Sequence, residues 1–144
     1  MSAFAVPTGP RLVSFITGAM ALLLGVIYVG PTEWIRRPLP QGQVSLVAII
    51  EQAVPVWAIL FCVTGLALVW AVMARRGLIA AHLLAIFAWT FYGVALLLSA
   101  LLSEPPAPII TGVIAIGLVG VHWGLIQTHQ DLGHTTPKRP KSRG

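Results

Sequence analysis

Charged residues are scarce in this sequence. Only 9% of its 144 residues are charged whereas 57% are hydrophobic, and the mean hydropathy is +0.88. Soluble domains carry about 25% charged residues. The composition therefore excludes a water-soluble surface for most of the chain. Four acidic residues in total also leave little material for acid–base catalysis.

Catalytic motifs and paired cysteines are lacking as well. The single cysteine, Cys62, excludes an intrachain disulfide and a CxxC metal site. The sequence contains no HExxH motif, no glycine-rich phosphate loop and no nucleophile elbow. We therefore expect a protein that is not an enzyme and that needs no cofactor.

Long apolar segments dominate what is present. Four of them approach or exceed the roughly 18 residues that cross about 30 Å of hydrocarbon as a helix. Hydrocarbon cannot satisfy backbone polar groups, and the segments lack the alternation of a barrel strand. The sequence predicts an all-α integral membrane protein, a four-helix up-down transmembrane bundle. The predicted order is a cytoplasmic N-terminus (1–11), span one (12–29), an external loop with a short helix (30–55), span two (56–74), a cytoplasmic turn (75–77), span three (78–102), an external turn (103–108), span four (109–127) and a disordered basic tail (128–144).

The distribution of basic residues predicts the orientation. Arg11, the Arg75–Arg76 pair and the four cations of the tail all fall on one side, and only Arg36 and Arg37 fall on the other. The positive-inside rule then places both termini in the cytoplasm. We expect the tail cations to contact anionic lipid and expect no nucleic-acid partner. These tail residues are Lys138, Arg139, Lys141 and Arg143.

Glu51 interrupts an apolar stretch at the outer end of span two. It is either an outer-mouth acid that attracts a cation or proton, or an interfacial acid paired with Arg36, Arg37 or water. Segment 43–54 either extends span two, with a kink at Pro55, or packs separately on the outer end of the bundle.

Small residues predict where helices pack closely, because lipid supplies little hydrophobic drive between helices. The clearest pattern is the GxxxG of Gly120 and Gly124. It serves either internal packing or self-association. The predicted packing residues are Ser14, Gly18, Gly117, Gly120 and Gly124. At mid-depth, the Trp89 N–H and the Tyr92 hydroxyl should turn toward Thr64 or a backbone group.

Two histidines lie within predicted spans. His82 and His122 should be at similar depth on adjacent antiparallel helices. Neutral imidazoles there could hold a metal or haem, or relay a proton. The structural alternative is that each ring hydrogen-bonds a headgroup or water.

The chain is small and basic, with closely spaced spans, an Arg75-Arg76-Gly77 turn and a short Lys/Arg tail. In these features its architecture resembles the holins and holin-like membrane proteins of bacteriophages, and its composition is similar to that of GC-rich actinobacteria and their phages. No residue motif carries it, and many holins have two or three spans rather than four. The resemblance implies an oligomer in the bacterial cytoplasmic membrane that permeabilises it.

Two alternatives stand beside a holin-like protein. One is a non-enzymatic accessory protein that excludes a second phage or belongs to a larger membrane complex. The other is a haem- or proton-handling subunit that uses His82 and His122.

Overall fold

The computed structural model describes residues 9–31, 41, 43, 45–52, 54–103 and 109–134, and these form five helices and no strand. The helices are α1 (Gly9–Val29), α2 (Leu46–Glu51), α3 (Val56–Ala74), α4 (Leu78–Leu101) and α5 (Ile110–His134). The all-α prediction is confirmed for the described residues. Arg36, Arg37 and the tail residues Lys138, Arg139, Lys141 and Arg143 lie outside them.

Four of these helices are long and apolar enough to cross a membrane, as predicted. Large hydrophobic side chains stay exposed along all of them, among them Val29, Met73, Leu101 and Ile110, each more than 60% exposed. Soluble proteins rarely expose apolar surface on this scale. The chain is a multi-pass membrane protein whose outward faces suit hydrocarbon.

Helices α1 and α3 pack closely through glycines. A Cβ atom added to Gly65 would lie 2.5 Å from the backbone nitrogen of Leu22, and one added to Gly25 would lie 2.6 Å from the backbone nitrogen of Cys62. A Cβ atom added to Gly18 would lie 2.8 Å from the Cβ atom of Leu68. At successive contacts the residue number rises along α1 and falls along α3, so the two helices run in opposite directions.

Helices α4 and α5 also meet at glycines. A Cβ added to Gly93 would lie 2.8 Å from the Ile116 side chain, and one added to Gly112 would lie 2.8 Å from the Leu97 side chain. The alanines of α4 that face the interior, Ala81, Ala85 and Ala88, are almost fully buried. Small residues therefore make both close helix pairs, as lipid-embedded packing requires.

The predicted glycine stripe of α5 is not part of these contacts. Gly117, Gly120 and Gly124 are exposed, and a Cβ added to any of them would meet nothing within 4 Å. The stripe does not meet the internal-packing alternative, because the helix turns the opposite face toward α4. Self-association through these three residues stays a prediction.

The connection from α3 to α4 is a tight turn with left-handed backbone. Arg75 has φ 54° and Gly77 has φ 74°, and the Arg76 amide donates to the Ala71 carbonyl at 3.2 Å. This αL geometry ends α3 in the usual manner of a helix C-terminus. The Arg76 guanidinium lies 5.2 Å from the centre of the Trp70 ring, within cation–π range.

Helix α2 is a separate short helix at the far end of α4. Ser45 caps it by accepting a hydrogen bond from the Ala48 amide. The Leu46 amide donates to Ser99 Oγ at 2.8 Å, and Trp57 Nε1–H donates to the Val47 carbonyl at 2.8 Å. Because α2 ends at Glu51 and α3 begins at Val56, after Pro55, segment 43–54 does not extend span two through a kink.

An aromatic layer joins α1, α3 and α4 near α2. Phe61 is fully buried, and its ring centre lies 4.9 Å from that of Trp89 and 5.2 Å from that of Tyr92. The Tyr92 hydroxyl is hydrogen-bonded to the Tyr28 hydroxyl at 2.8 Å. It does not bond Thr64, whose buried hydroxyl has no partner, so the expected Tyr92–Thr64 contact is absent.

Helix α5 continues beyond the predicted end of span four. Residues 128–134 were assigned to the disordered tail but are helical. The physical reason lies in His129, which contacts α1 and α4. A tertiary contact of this kind outweighs the low hydrophobicity that indicated disorder.

Candidate functional site: a buried serine–histidine network

Four polar side chains from three helices form one hydrogen-bonded chain, which we name the Ser–His network. Ser14 Oγ on α1 lies 3.0 Å from His82 Nε2 on α4 and 3.2 Å from His129 Nε2 on α5. His82 Nδ1 lies 2.9 Å from His122 Nδ1. The order along the network is therefore His129, Ser14, His82 and His122.

The network passes from a partly exposed end to a fully buried one. His129 is half-buried, whereas Ser14, His82 and His122 are 0% exposed. All four residues belong to helices that could cross a membrane. Polar groups in such a position are costly unless they bond one another.

Helix geometry explains how the four residues meet. His122 and His129 are seven residues apart, about two turns, so they share a face of α5. Ser14 lies one turn before Gly18, on the face that α1 turns inward. His82 begins the second turn of α4, next to the small residue Ala81, which lets α5 approach.

The arrangement only partly matches the predictions. His82 and His122 were expected at similar depth, and the structure brings their rings into contact, with centres 5.1 Å apart. Ser14 was expected as a packing residue and is a hydrogen-bonding partner too. His129 was not expected in the site at all, although its seven-residue spacing from His122 was a signal.

The contact between His82 and His122 does not suit a shared metal. Metal–imidazole bonds are about 2 Å long, so two imidazole nitrogens on one ion lie about 3.3 Å apart in a tetrahedral site and about 4 Å apart on opposite sides of a haem iron. The Nδ1 atoms are 2.9 Å apart and bonded to each other. Within the ranges that the structure describes, no group of three or more His, Cys, Asp or Glu side chains could hold a metal ion.

One nitrogen of the network is left over. His122 Nε2 is buried and has no hydrogen-bond partner. Buried polar atoms without partners are uncommon and need a physical explanation. The other such atom among the described side chains is Thr64 Oγ1 on α3.

Charge lies at both ends of the polar interior. Arg11 acts electrostatically on His129 at the partly exposed end of the network. At the opposite end of α4, Glu51 is half-buried and acts electrostatically on Tyr92. The expected partners of Glu51, Arg36 and Arg37, are outside the described residues.

An apolar groove of about 330 Å³ lies between α1, α4 and α5. Leu24, Trp89, Tyr92, Thr111 and Ala115 are among its lining residues. None of the Ser–His network lines it. The lining of this groove is mostly apolar, so the network is the candidate for chemistry.

Comparison with known protein families, with curated proteins and with solved structures finds no match. The fold and the network define a class only, a multi-pass helical membrane protein with a polar site inside its apolar helices. Function must be argued from the site itself.

Proposed function

We propose that this chain is a proton-handling protein of the bacterial cytoplasmic membrane, an up-down four-helix bundle with both termini in the cytoplasm. The opposed directions within the α1–α3 and α4–α5 pairs support the bundle. The basic residues Arg11, Arg75 and Arg76 support the orientation. In this placement the Ser–His network lies near the cytoplasmic face, and Glu51 and the Tyr28–Tyr92 pair lie near the outer face.

The observation that carries the proposal is the continuous hydrogen-bonded chain of one serine and three histidines within membrane-length helices. Histidine is the side chain that gains or loses a proton near neutral pH. Ionisable groups inside membrane helices are rare and commonly mark ion pathways or proton relays. The chain extends from a partly exposed imidazole to a buried one, so it holds titratable nitrogens at increasing depth from one face.

The hydrogen bond between His82 and His122 determines how many protons the pair can hold. A single added proton can be held by the His82–His122 pair, because one of the two facing Nδ1 atoms still accepts. A further proton on the pair would place two N–H groups against each other and break the 2.9 Å bond. The first proton therefore leaves the contact between α4 and α5 intact, and a second would break it.

Proton uptake by the purified protein tests this function. The protein in lipid vesicles is moved from about pH 8 to about pH 3, and bound protons are counted. We expect the His122→Ala variant to bind about one proton per chain fewer than the unaltered protein. The matched control is Gln127→Ala, an exposed polar residue of the same helix, which should bind the same number. Equal uptake by the unaltered and His122→Ala proteins would contradict the proposal.

A second candidate function is holin-like self-association that permeabilises the membrane. The observation that favours it is the outer face of α5, where Gly117, Gly120 and Gly124 leave space for a second helix backbone. Of the four membrane-length helices, α5 is also the least buried within the chain. GxxxG faces of this type associate through close van der Waals packing in lipid.

Membrane depolarisation after induced expression in bacteria tests the second candidate. We expect Gly120→Leu and Gly124→Leu to abolish depolarisation, since a bulky side chain blocks close approach of a second copy. Val121→Leu on the exposed surface of the same helix is the control. Depolarisation that is unchanged in the glycine variants would contradict self-association. Tolerated expression with a co-purifying partner would support the accessory-protein alternative.

A further inference from the structure

Hydrogen counting assigns the protons of the Ser–His network. The Ser14 hydroxyl has one hydrogen and two lone pairs. It donates its hydrogen to the Pro10 carbonyl at 2.8 Å. Its two other neighbours, His82 Nε2 and His129 Nε2, must then both carry hydrogens and donate to Ser14 Oγ.

The hydrogen positions at Ser14 also determine those of His82 and His122, the next members of the Ser–His network. A neutral imidazole has one N–H and one bare nitrogen. Because His82 carries its hydrogen on Nε2, its Nδ1 is bare and must accept. His122 therefore donates from Nδ1, which leaves His122 Nε2 bare.

The unpartnered nitrogen of His122 is thus a lone pair and not an N–H group. The opposite arrangement turns the Ser14 hydroxyl to His82, gives up the Pro10 bond and leaves a buried N–H without an acceptor at His122. Unpaired buried N–H groups are rarer than under-used acceptors. The arrangement with Ser14 bonded to Pro10 is the favoured one.

We propose that His122 Nε2 is a proton-binding site, the terminal acceptor of a network held in one tautomeric state by Ser14. The proposal rests on the proton-handling function above and deepens it by naming the accepting atom. His122 is 0% exposed, so the ligand is a proton, brought by water, and not a larger molecule. On uptake a new N–H bond forms at Nε2, no bond to carbon changes, and the positive charge is shared with His82 through the Nδ1 contact.

The charged surroundings limit the site to one proton. From α4 the facing titratable group is His82, and from α5 it is His129 along the same face. From α1 the charged residue is Arg11, which acts on His129. Asp131 lies two residues beyond His129 on α5. A second positive charge would meet the first within the His82–His122 contact, where burial makes repulsion strong.

Nitrogen-15 NMR of the histidine rings in lipid bicelles tests the proposal. At about pH 8, where histidine is neutral, we expect His122 to carry its hydrogen on Nδ1 and His82 to carry it on Nε2. On acidification His122 Nε2 should gain a hydrogen while His82 remains singly protonated. A His122 ring with hydrogen on Nε2 at high pH would overturn the proposal, even if proton uptake still depends on His122.

Two variants make the readout specific. Ser14→Ala removes the hydroxyl that fixes the tautomers, so we expect His82 and His122 to show mixtures of both N–H forms. Thr17→Ala is the matched control, because the Thr17 hydroxyl on the same helix donates to the Ser14 carbonyl at 3.1 Å and not to the Ser14 hydroxyl. Unchanged tautomers in Ser14→Ala would also overturn the proposal. Proton uptake that does not depend on His122 would instead defeat the proposed function.

Discussion

Ser14 is the residue that connects three helices in the Ser–His network. Its hydroxyl donates to Pro10 and accepts from two imidazoles on two other helices, so it joins α1 to both α4 and α5. No sequence pattern distinguishes this role from that of a small packing residue. Both uses place a serine on the buried face of a membrane helix, and only the partner helices differ.

Replacement of Ser14 by alanine measures this role. We expect Ser14→Ala to lower the free energy of unfolding by about 1 kcal/mol, the usual size of a side-chain hydrogen bond between membrane helices. Unfolding in mixed micelles of a mild detergent and a denaturing detergent gives the value. The control is Thr128→Ala, because Thr128 makes the same bond to a carbonyl four residues earlier, at 2.9 Å, but is exposed. Equal losses in the two variants would show that the histidine bonds add nothing to stability.

At the scale of helices, the glycines divide into those that touch another helix and those that face outward. The number and approximate bounds of the long helices follow from hydrophobicity and length, which are local properties. Which glycines pack is not local. Gly65 and Gly112 lie in close interfaces, whereas the more conspicuous GxxxG of Gly120 and Gly124 faces outward. Which glycines lie in an interface depends on the rotation of each helix about its axis, and small residues occur on more than one face of a helix.

Alanine at two of these glycines separates the two kinds. Gly65→Ala places a Cβ within 2.5 Å of the Leu22 backbone nitrogen. Since backbone atoms cannot move aside cheaply, we expect a loss of about 1–3 kcal/mol in the free energy of unfolding. Gly117→Ala meets nothing within 4 Å and should change that free energy by less than about 1 kcal/mol. A Gly65→Ala protein as stable as Gly117→Ala would refute the close α1–α3 packing.

The C-terminal end of α5 shows why part of the site could not be predicted. Residues 128–134 have a composition typical of a solvated tail, yet they are helical. His129 gains its place through partners that are 115 and 47 residues away in the chain, Ser14 and His82. Local composition carries no information about contacts at such separations. His82 and His122 were identifiable because each is a titratable group in an apolar segment.

For the whole molecule, the interpretation of the exposed helix faces and of the Ser–His network depends on lipid being the surrounding solvent. The exposed faces of four helices are apolar, and a histidine network in their interior is significant because water is scarce there. In the proposed orientation the network lies near the cytoplasm and Glu51 lies at the outer surface. A proton taken up by the network would then come from the cytoplasmic side.

Labelling with a membrane-impermeant maleimide in intact bacteria tests this placement most directly. Cys62, the single cysteine, is first replaced by serine, and Gln41→Cys and Ser142→Cys are then made separately. We expect the reagent to label the Gln41→Cys protein in intact cells and the Ser142→Cys protein only after the membrane is opened. Labelling of both proteins in intact cells, or recovery of the protein in the soluble fraction, would contradict a chain that crosses the bilayer with its C-terminus in the cytoplasm.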